Sequence, residues 1–182
     1  GDTALAQASG ELFASVVLEP SWLEAQGLGV PARAAIVDTA SALRLFQARR
    51  AAAAYLARVD CLEHPDVQAR QRAAQIFTRA LGVTHQETDM VRLRIDTDDA
   101  LRSATTLRAM LSADVLRARL QTHAGQAWFT TPTTGQALGE LWGLVSSVPL
   151  EHRVAPLGDA ITAFVARTNE LMPTGAPDGG WP

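Results

Sequence analysis

The stretch from Pro31 to Glu63 constrains the fold more than any other part of the chain. Pro31 suits the first turn of a helix, where its missing N–H costs nothing. Ile36, Ala40, Leu43 and Phe46, then Tyr55, Val59 and Leu62, keep to a helical spacing, which marks one apolar face. The segment therefore predicts a single long helix over 31–63. From Arg50 to Ala54 it is nearly all alanine, so a neighbour can approach its backbone closely there.

The remaining signals agree with helix. Residues 3–18 read as a first helix with Leu5, Leu12, Val16 and Val17 on one face, ended by Pro20. Ser21 and Glu24 have the spacing of a capping box for a short helix, which Gly27 and Gly29 stop. Pro65 and Asp66 mark the start of another, running to Leu81 with Gly82 as its C-cap. Met90 to Ile95 alternates apolar and polar residues, a pattern a short strand also shows. No partner strand is visible, so 83–97 reads as a connection or helical turn. Thr97 or Asp98 then caps a helix with Leu101, Ala104, Leu107, Leu111 and Val115 on one stripe and Leu116 and Leu120 at its edge. After a break at Gly125, Thr131 and Pro132 start a helix through Leu138, Leu141, Trp142 and Val145. Pro156 starts the last one, with Ile161, Phe164 and Val165 as its expected buried residues. The fold class is all-α: an antiparallel, bundle-like arrangement of about seven helices. Residues 1–172 form a single helical domain, and 173–182 a Pro- and Gly-rich flexible tail.

Composition bounds the function. The chain has 182 residues and a net charge of -3, with no Lys among its 16 basic residues. The arginines are spread from Arg33 to Arg167 with acids between them, which is what codon preference produces. They form no basic patch, so nucleic acid is not an expected partner. Cys61 is the one cysteine. It forms no internal disulfide, excludes a multi-Cys zinc site and reads as a small buried hydrophobe. The N-terminus shows no signal-peptide pattern, and no apolar run is long enough to span a membrane. A cytoplasmic location is the default, with no membrane partner.

No complete catalytic constellation is present. A zinc hydrolase needs two His one helical turn apart, and His64, His85, His123 and His152 provide no such pair. His85-Gln86-Glu87 resembles a fragment of a metal motif but reads as a solvated loop. No nucleophile elbow surrounds Ser9, and no glycine-rich phosphate loop exists. Asp98 and Asp99 are explained by a helix N-terminus. Trp128 and Phe129 could form a ligand platform, but packing in a core or interface explains the pair more simply.

The order of several short motifs carries a resemblance. Gly1-Asp2-Thr3-Ala4-Leu5-Ala6-Gln7 is followed by Leu12-Phe13, then by Glu19-Pro20-Ser21-Trp22-Leu23. Leu45-Phe46-Gln47-Ala48-Arg49-Arg50 follows on the long helix. Asp96-Thr97-Asp98 precedes Ser103-Ala104-Thr105-Thr106-Leu107-Arg108-Ala109-Met110, and Gly125-Gln126-Ala127-Trp128-Phe129 and Leu141-Trp142 close the series. Over about residues 1–145 this resembles the C-terminal helical part of zinc metallopeptidases of the oligoendopeptidase F and thimet oligopeptidase type, especially their bacterial branch. The resemblance implies a peptidase scaffold, with departures where the chemistry belongs. The family's third zinc ligand, a carboxylate, falls on Gln7, a neutral and poor ligand. A tyrosine that supports the oxyanion falls on Thr106. The His-Glu-x-x-His helix, which carries two ligands and the base, is absent.

These readings predict a catalytically inactive helical domain acting as a structural or protein-interaction module, with a protein partner or self-association. Trp22, Trp128, Phe129 and Trp142 are its candidate interface residues, since aromatics are enriched at interfaces. No cofactor is expected, and zinc enters only if a missing segment or chain supplies ligands. Two other readings stay open. The chain could be a portion or subunit of an active zinc-dependent oligopeptidase whose metal site lies elsewhere. It could also be a helical module for a small apolar ligand.

Overall fold

The computed structural model describes residues 3–91, 99–143 and 156–171. Among these residues the chain is all-α, with no strand. The helices are α1 (Thr3–Ala14), α2 (Pro20–Ala25), α3 (Val30–Glu63), α4 (Ala69–Leu81), α5 (Asp99–Ala124), α6 (Pro132–Gly143) and α7 (Leu157–Leu171). Two single 3-10 turns, Ser15–Leu18 and Trp128–Thr130, join α1 to α2 and α5 to α6. None of these helices is long and apolar enough to cross a membrane.

Helix α3 has 34 residues, which makes it a rod of roughly 50 Å. Its boundaries agree with the sequence reading, but its buried face does not. Leu43, Phe46, Tyr55 and Leu62 stand exposed. The face turned inward is Ser41, Arg44, Ala48, Ala51, Ala53 and Ala57. Small side chains win that face because two neighbours press on it. Ala53 and Ala57 meet Ala73, Ala74 and Phe77 of α4 in one apolar cluster. Ala48 meets Met110 and Leu111 of α5 and Ala160 and Phe164 of α7 in another. Close packing on alanine loses less side-chain entropy than packing on longer residues.

Helix α5 is the hub and packs against α1, α3, α6 and α7. The core on its other side joins Ala8 and Leu12 of α1, Ala109, Ala113, Leu116 and Leu120 of α5, and Leu138 of α6 around Trp128. On α7 the helical stripe that faces in is Ala160, Phe164 and Arg167. Ile161 and Val165 are exposed, contrary to the sequence reading. They lie on the neighbouring stripe, and periodicity alone does not choose between two stripes on one helix.

Three helix boundaries also differ. The α-helical part of the first helix stops at Ala14, and Ser15 Oγ donates to Leu12 O at 2.7 Å as the backbone tightens into a 3-10 turn. Helix α2 starts at Pro20, with Glu19 as an N-cap that makes no side-chain capping bond. The Ser21 capping box is therefore not formed, and the Glu19 carboxylate is engaged elsewhere. Helix α4 starts at Ala69 rather than Pro65. The intervening turn is clamped by Arg72, which donates to Asp60 Oδ2 at 2.8 Å, to Asp66 Oδ1 at 2.9 Å and to His64 O at 2.8 Å. Gly82 ends α4 in the left-handed conformation, with φ 70°. That is the C-cap the sequence indicates.

Candidate functional site

Helices α3, α4 and the first half of α5 enclose a groove of about 880 Å³. Its floor is apolar: Ala51, Ala54 and Ala57 from α3, Ala73 and Phe77 from α4, with Met90 and Met110. The alanine run of α3 gives it a floor of small side chains. Along α3 the lining runs from Gln47 to Leu62, a length of roughly 22 Å. Arg50, Arg58 and Arg70 stand along the rim. Among the described residues these three make no ion pair. Two acids share the rim, Glu11 at the α1 end and Glu87 near Met90, while Asp66 is already engaged by Arg72.

Thr106 lines the groove. Gln7 Nε2 donates to Thr106 Oγ1 at 2.8 Å, across 99 residues of sequence. The two positions singled out from the sequence are thus brought into direct contact where α1 crosses α5. Neither residue type ionises in this setting, and each takes up hydrogen-bonding capacity of the other. Among the described residues no three His, Cys, Asp or Glu side chains gather closely enough to hold a metal ion.

Below the groove lies a cluster of buried charge. Arg44 of α3 donates to Asp114 Oδ2 at 2.9 Å and to Met110 O at 3.2 Å, and its guanidinium lies 5.0 Å from the Phe164 ring centre. Glu19 is held by Arg117 of α5 and by Arg167 of α7. Arg167 also donates to Leu18 O at 3.2 Å. Glu19 and Asp114 are only 2% and 3% exposed. Met110, Asp114 and Arg117 sit one turn apart on α5, so one helix face carries both pairs and fixes α5 against α3, α7 and the turn before α2. Arginine suits this work because its planar fork forms several bonds at once and stays charged when buried.

Burial pushes the Asp114 carboxyl up from its ordinary value, against the pull of Arg44 beside it. Glu11 is likewise raised by burial, with Arg44 opposing. A raised folded-state pKa means the folded chain holds its proton more tightly than the unfolded chain. The contribution is therefore fully present below the unfolded values of 3.8 and 4.5 and is lost as pH rises through the elevated ones. Denaturation midpoints measured from pH 3.5 upward are expected to shift in favour of Asp114→Asn relative to the parent chain as pH rises. A relative shift in the opposite direction would contradict this assignment.

The aromatic interface candidates separate. Trp128 is 0% exposed and belongs to the core. That removes it from the interface candidates and agrees with the core-packing alternative for the Trp128–Phe129 pair: the 3-10 turn after Gly125 folds it back over α5. Phe129 is half-buried against the same core and meets Trp128 edge-on, with ring centres 5.8 Å apart. Trp22 is half-buried on α2. Trp142 lies in the last turn of α6, and its side chain falls outside the described residues, as do Val145, His152 and the tail. His85 is not a free loop residue. Its backbone N–H donates to Thr78 Oγ1 at 2.9 Å, and its ring lies 5.6 Å from that of Phe77. Cys61 is half-buried at the groove wall rather than in the core.

Sequence reasoning missed the groove arginines and the buried ones alike, because an even spread of Arg looks the same whether the side chains are solvated or inside. The one available signal was spacing: Met110, Asp114 and Arg117 fall on a single helical face. No known protein family matches this chain, and neither a curated protein nor a solved structure matches it.

Proposed function

We propose that this chain is a binding scaffold rather than a catalyst: a structural or protein-interaction module related to the C-terminal part of zinc oligopeptidases. In it, the positions for metal and oxyanion chemistry have become a packing contact. The observation that supports this reading is the Gln7–Thr106 hydrogen bond of 2.8 Å. The resemblance puts a carboxylate zinc ligand at the first position, and an oxyanion donor at the second would have to reach beyond its own helix. Gln7 offers no negative charge, and Thr106, on a much shorter side chain than tyrosine, is held against Gln7. What the scaffold keeps is an apolar groove with charged edges, which serves recognition without turnover. A protein partner or a second copy of the chain is the natural occupant, and a cytoplasmic setting agrees with a single unpaired cysteine.

Elemental analysis of the purified chain, paired with a quenched-peptide cleavage assay, tests this. The expected result is zinc far below one ion per chain and no cleavage that a chelator abolishes. Stoichiometric zinc with chelator-sensitive cleavage overturns the reading.

A further inference from the structure

We propose that the groove between α3, α4 and α5 is a docking site for an amphipathic helix of a partner protein whose solvent-facing edge is acidic. The inference rests on the reading of the chain as an interaction module and adds the chemistry of its partner.

Four features of the groove converge on that occupant. Its length along α3, roughly 22 Å, matches about four turns of helix. Its floor is shallow-walled alanine, Ala51, Ala54 and Ala57, faced by Ala73 of α4. Small residues let a third helix approach closely and seat its longer apolar side chains between Phe77, Met90 and Met110. At the far end Leu62 and Val67 are 66% and 93% exposed and line the same groove. Apolar side chains left standing in water at a groove mouth fit a macromolecular partner, whose own surface would cover them.

Charge decides the sign of the partner. Arg50 and Arg58 lie two turns apart on α3, about 12 Å along the axis, and Arg70 faces them from α4. Single anionic head groups cannot reach all three. A helix with Glu or Asp repeated along one edge can, because acids two turns apart on it are separated by about the same 12 Å as Arg50 and Arg58. The two acids of the rim do not cancel this. Glu11 belongs to α1 and Glu87 precedes Met90, and among the described residues neither pairs with Arg50, Arg58 or Arg70. Rim charges of this kind choose partners and speed encounter more than they add affinity.

The test uses the full chain and two fluorescent peptides of roughly 15 residues, the length of the groove. Both carry leucines at i, i+3, i+4 and i+7. One has glutamates on its outer edges and the other lysines. The expected result by anisotropy is saturable binding of the acidic peptide, weakened at least tenfold by raising the salt from low to physiological strength and by Arg58→Glu. Ala54→Phe, which fills the floor without touching charge, is expected to abolish binding while leaving the helical circular dichroism unchanged. Equal binding of both peptides, tighter binding of the lysine peptide, or no binding of either overturns the proposal. Saturable binding of the lysine peptide alone would keep the interaction module and discard the acidic partner. Failure of the module reading itself appears separately, as zinc-dependent cleavage in the preceding assay.

Discussion

Replacing Glu19 by Gln is expected to cost the fold about 3–5 kcal/mol. The substitution keeps the side chain's shape, so little packing is lost. Among the described residues it removes the one anion that both Arg117 and Arg167 contact. Those guanidiniums are buried, and Arg167 is already pulled below its usual pKa by burial and by Arg117 nearby. Without Glu19, two like charges would face each other with water excluded. Arg167 would keep Glu170 Oε2 at 3.2 Å, but that carboxylate is largely exposed and screened. Urea denaturation followed by circular dichroism measures the loss, and the thermal midpoint should fall by on the order of 10 °C. A second variant separates charge from shape. Glu19→Leu with Arg117→Met and Arg167→Leu removes all three charges, and apolar replacement of a buried triad is often neutral or stabilising. It is expected to recover most of the loss. A Glu19→Gln cost under about 1 kcal/mol would mean that the cluster is solvated and holds nothing together.

That cluster also shows what the sequence conveys and what it hides. The helical class, the length of α3 and the Gly82 stop follow from local chemistry: proline at a first turn, apolar steps of three and four, glycine where φ is positive. The buried face of α3 does not follow. Leu43 and Phe46 have the hydrophobicity, but Arg44 and Ala48 have the neighbours: Asp114 and Met110 for one, Met110 and Phe164 for the other. Which residue turns inward is settled by what waits there, and that information lies 66 and 70 residues away in the chain. The start of α4 is displaced for the same reason, since Arg72 holds the turn at Asp66 from the helix that follows it.

The candidate site divides along the same line. Gln7 and Thr106 were singled out one at a time, through the order of short motifs, and not as a pair. Contact between them needs α1 laid across α5, and the alanines Ala8, Ala109 and Ala113 that permit this approach are unremarkable in sequence. The groove was legible only as the alanine run of α3. Its rim was not, because an arginine that pairs and one that does not are written with the same letter. Arg58 and Arg72 differ by their surroundings alone: Arg72 meets Asp60 and Asp66, and Arg58 meets neither.

Trp128→Ala should be as damaging as the loss of Glu19, by a different route. The side chain is fully buried among α1, α5 and α6, and truncating a buried Trp typically costs about 3–5 kcal/mol through lost transfer energy and the cavity left behind. Leu12, Leu116 and Leu138 surround it on three helices, so collapse to fill the space would require α1 and α6 to move together. Trp128→Phe should behave otherwise. The indole Nε1 is buried and has no hydrogen-bond partner among the described residues, and the Oγ1 of Thr134 shares that condition. An unsatisfied buried donor costs about 1–3 kcal/mol, and Phe removes it while filling most of the ring's volume. The expected loss for Trp128→Phe is therefore within about 1 kcal/mol of zero, the small cavity being offset by the missing orphan N–H. Urea midpoints for the two variants decide the matter. Equal, large losses would mean that Nε1 is paired in solution and that its hydrogen bond, rather than the packing of the ring, holds the turn between α5 and α6.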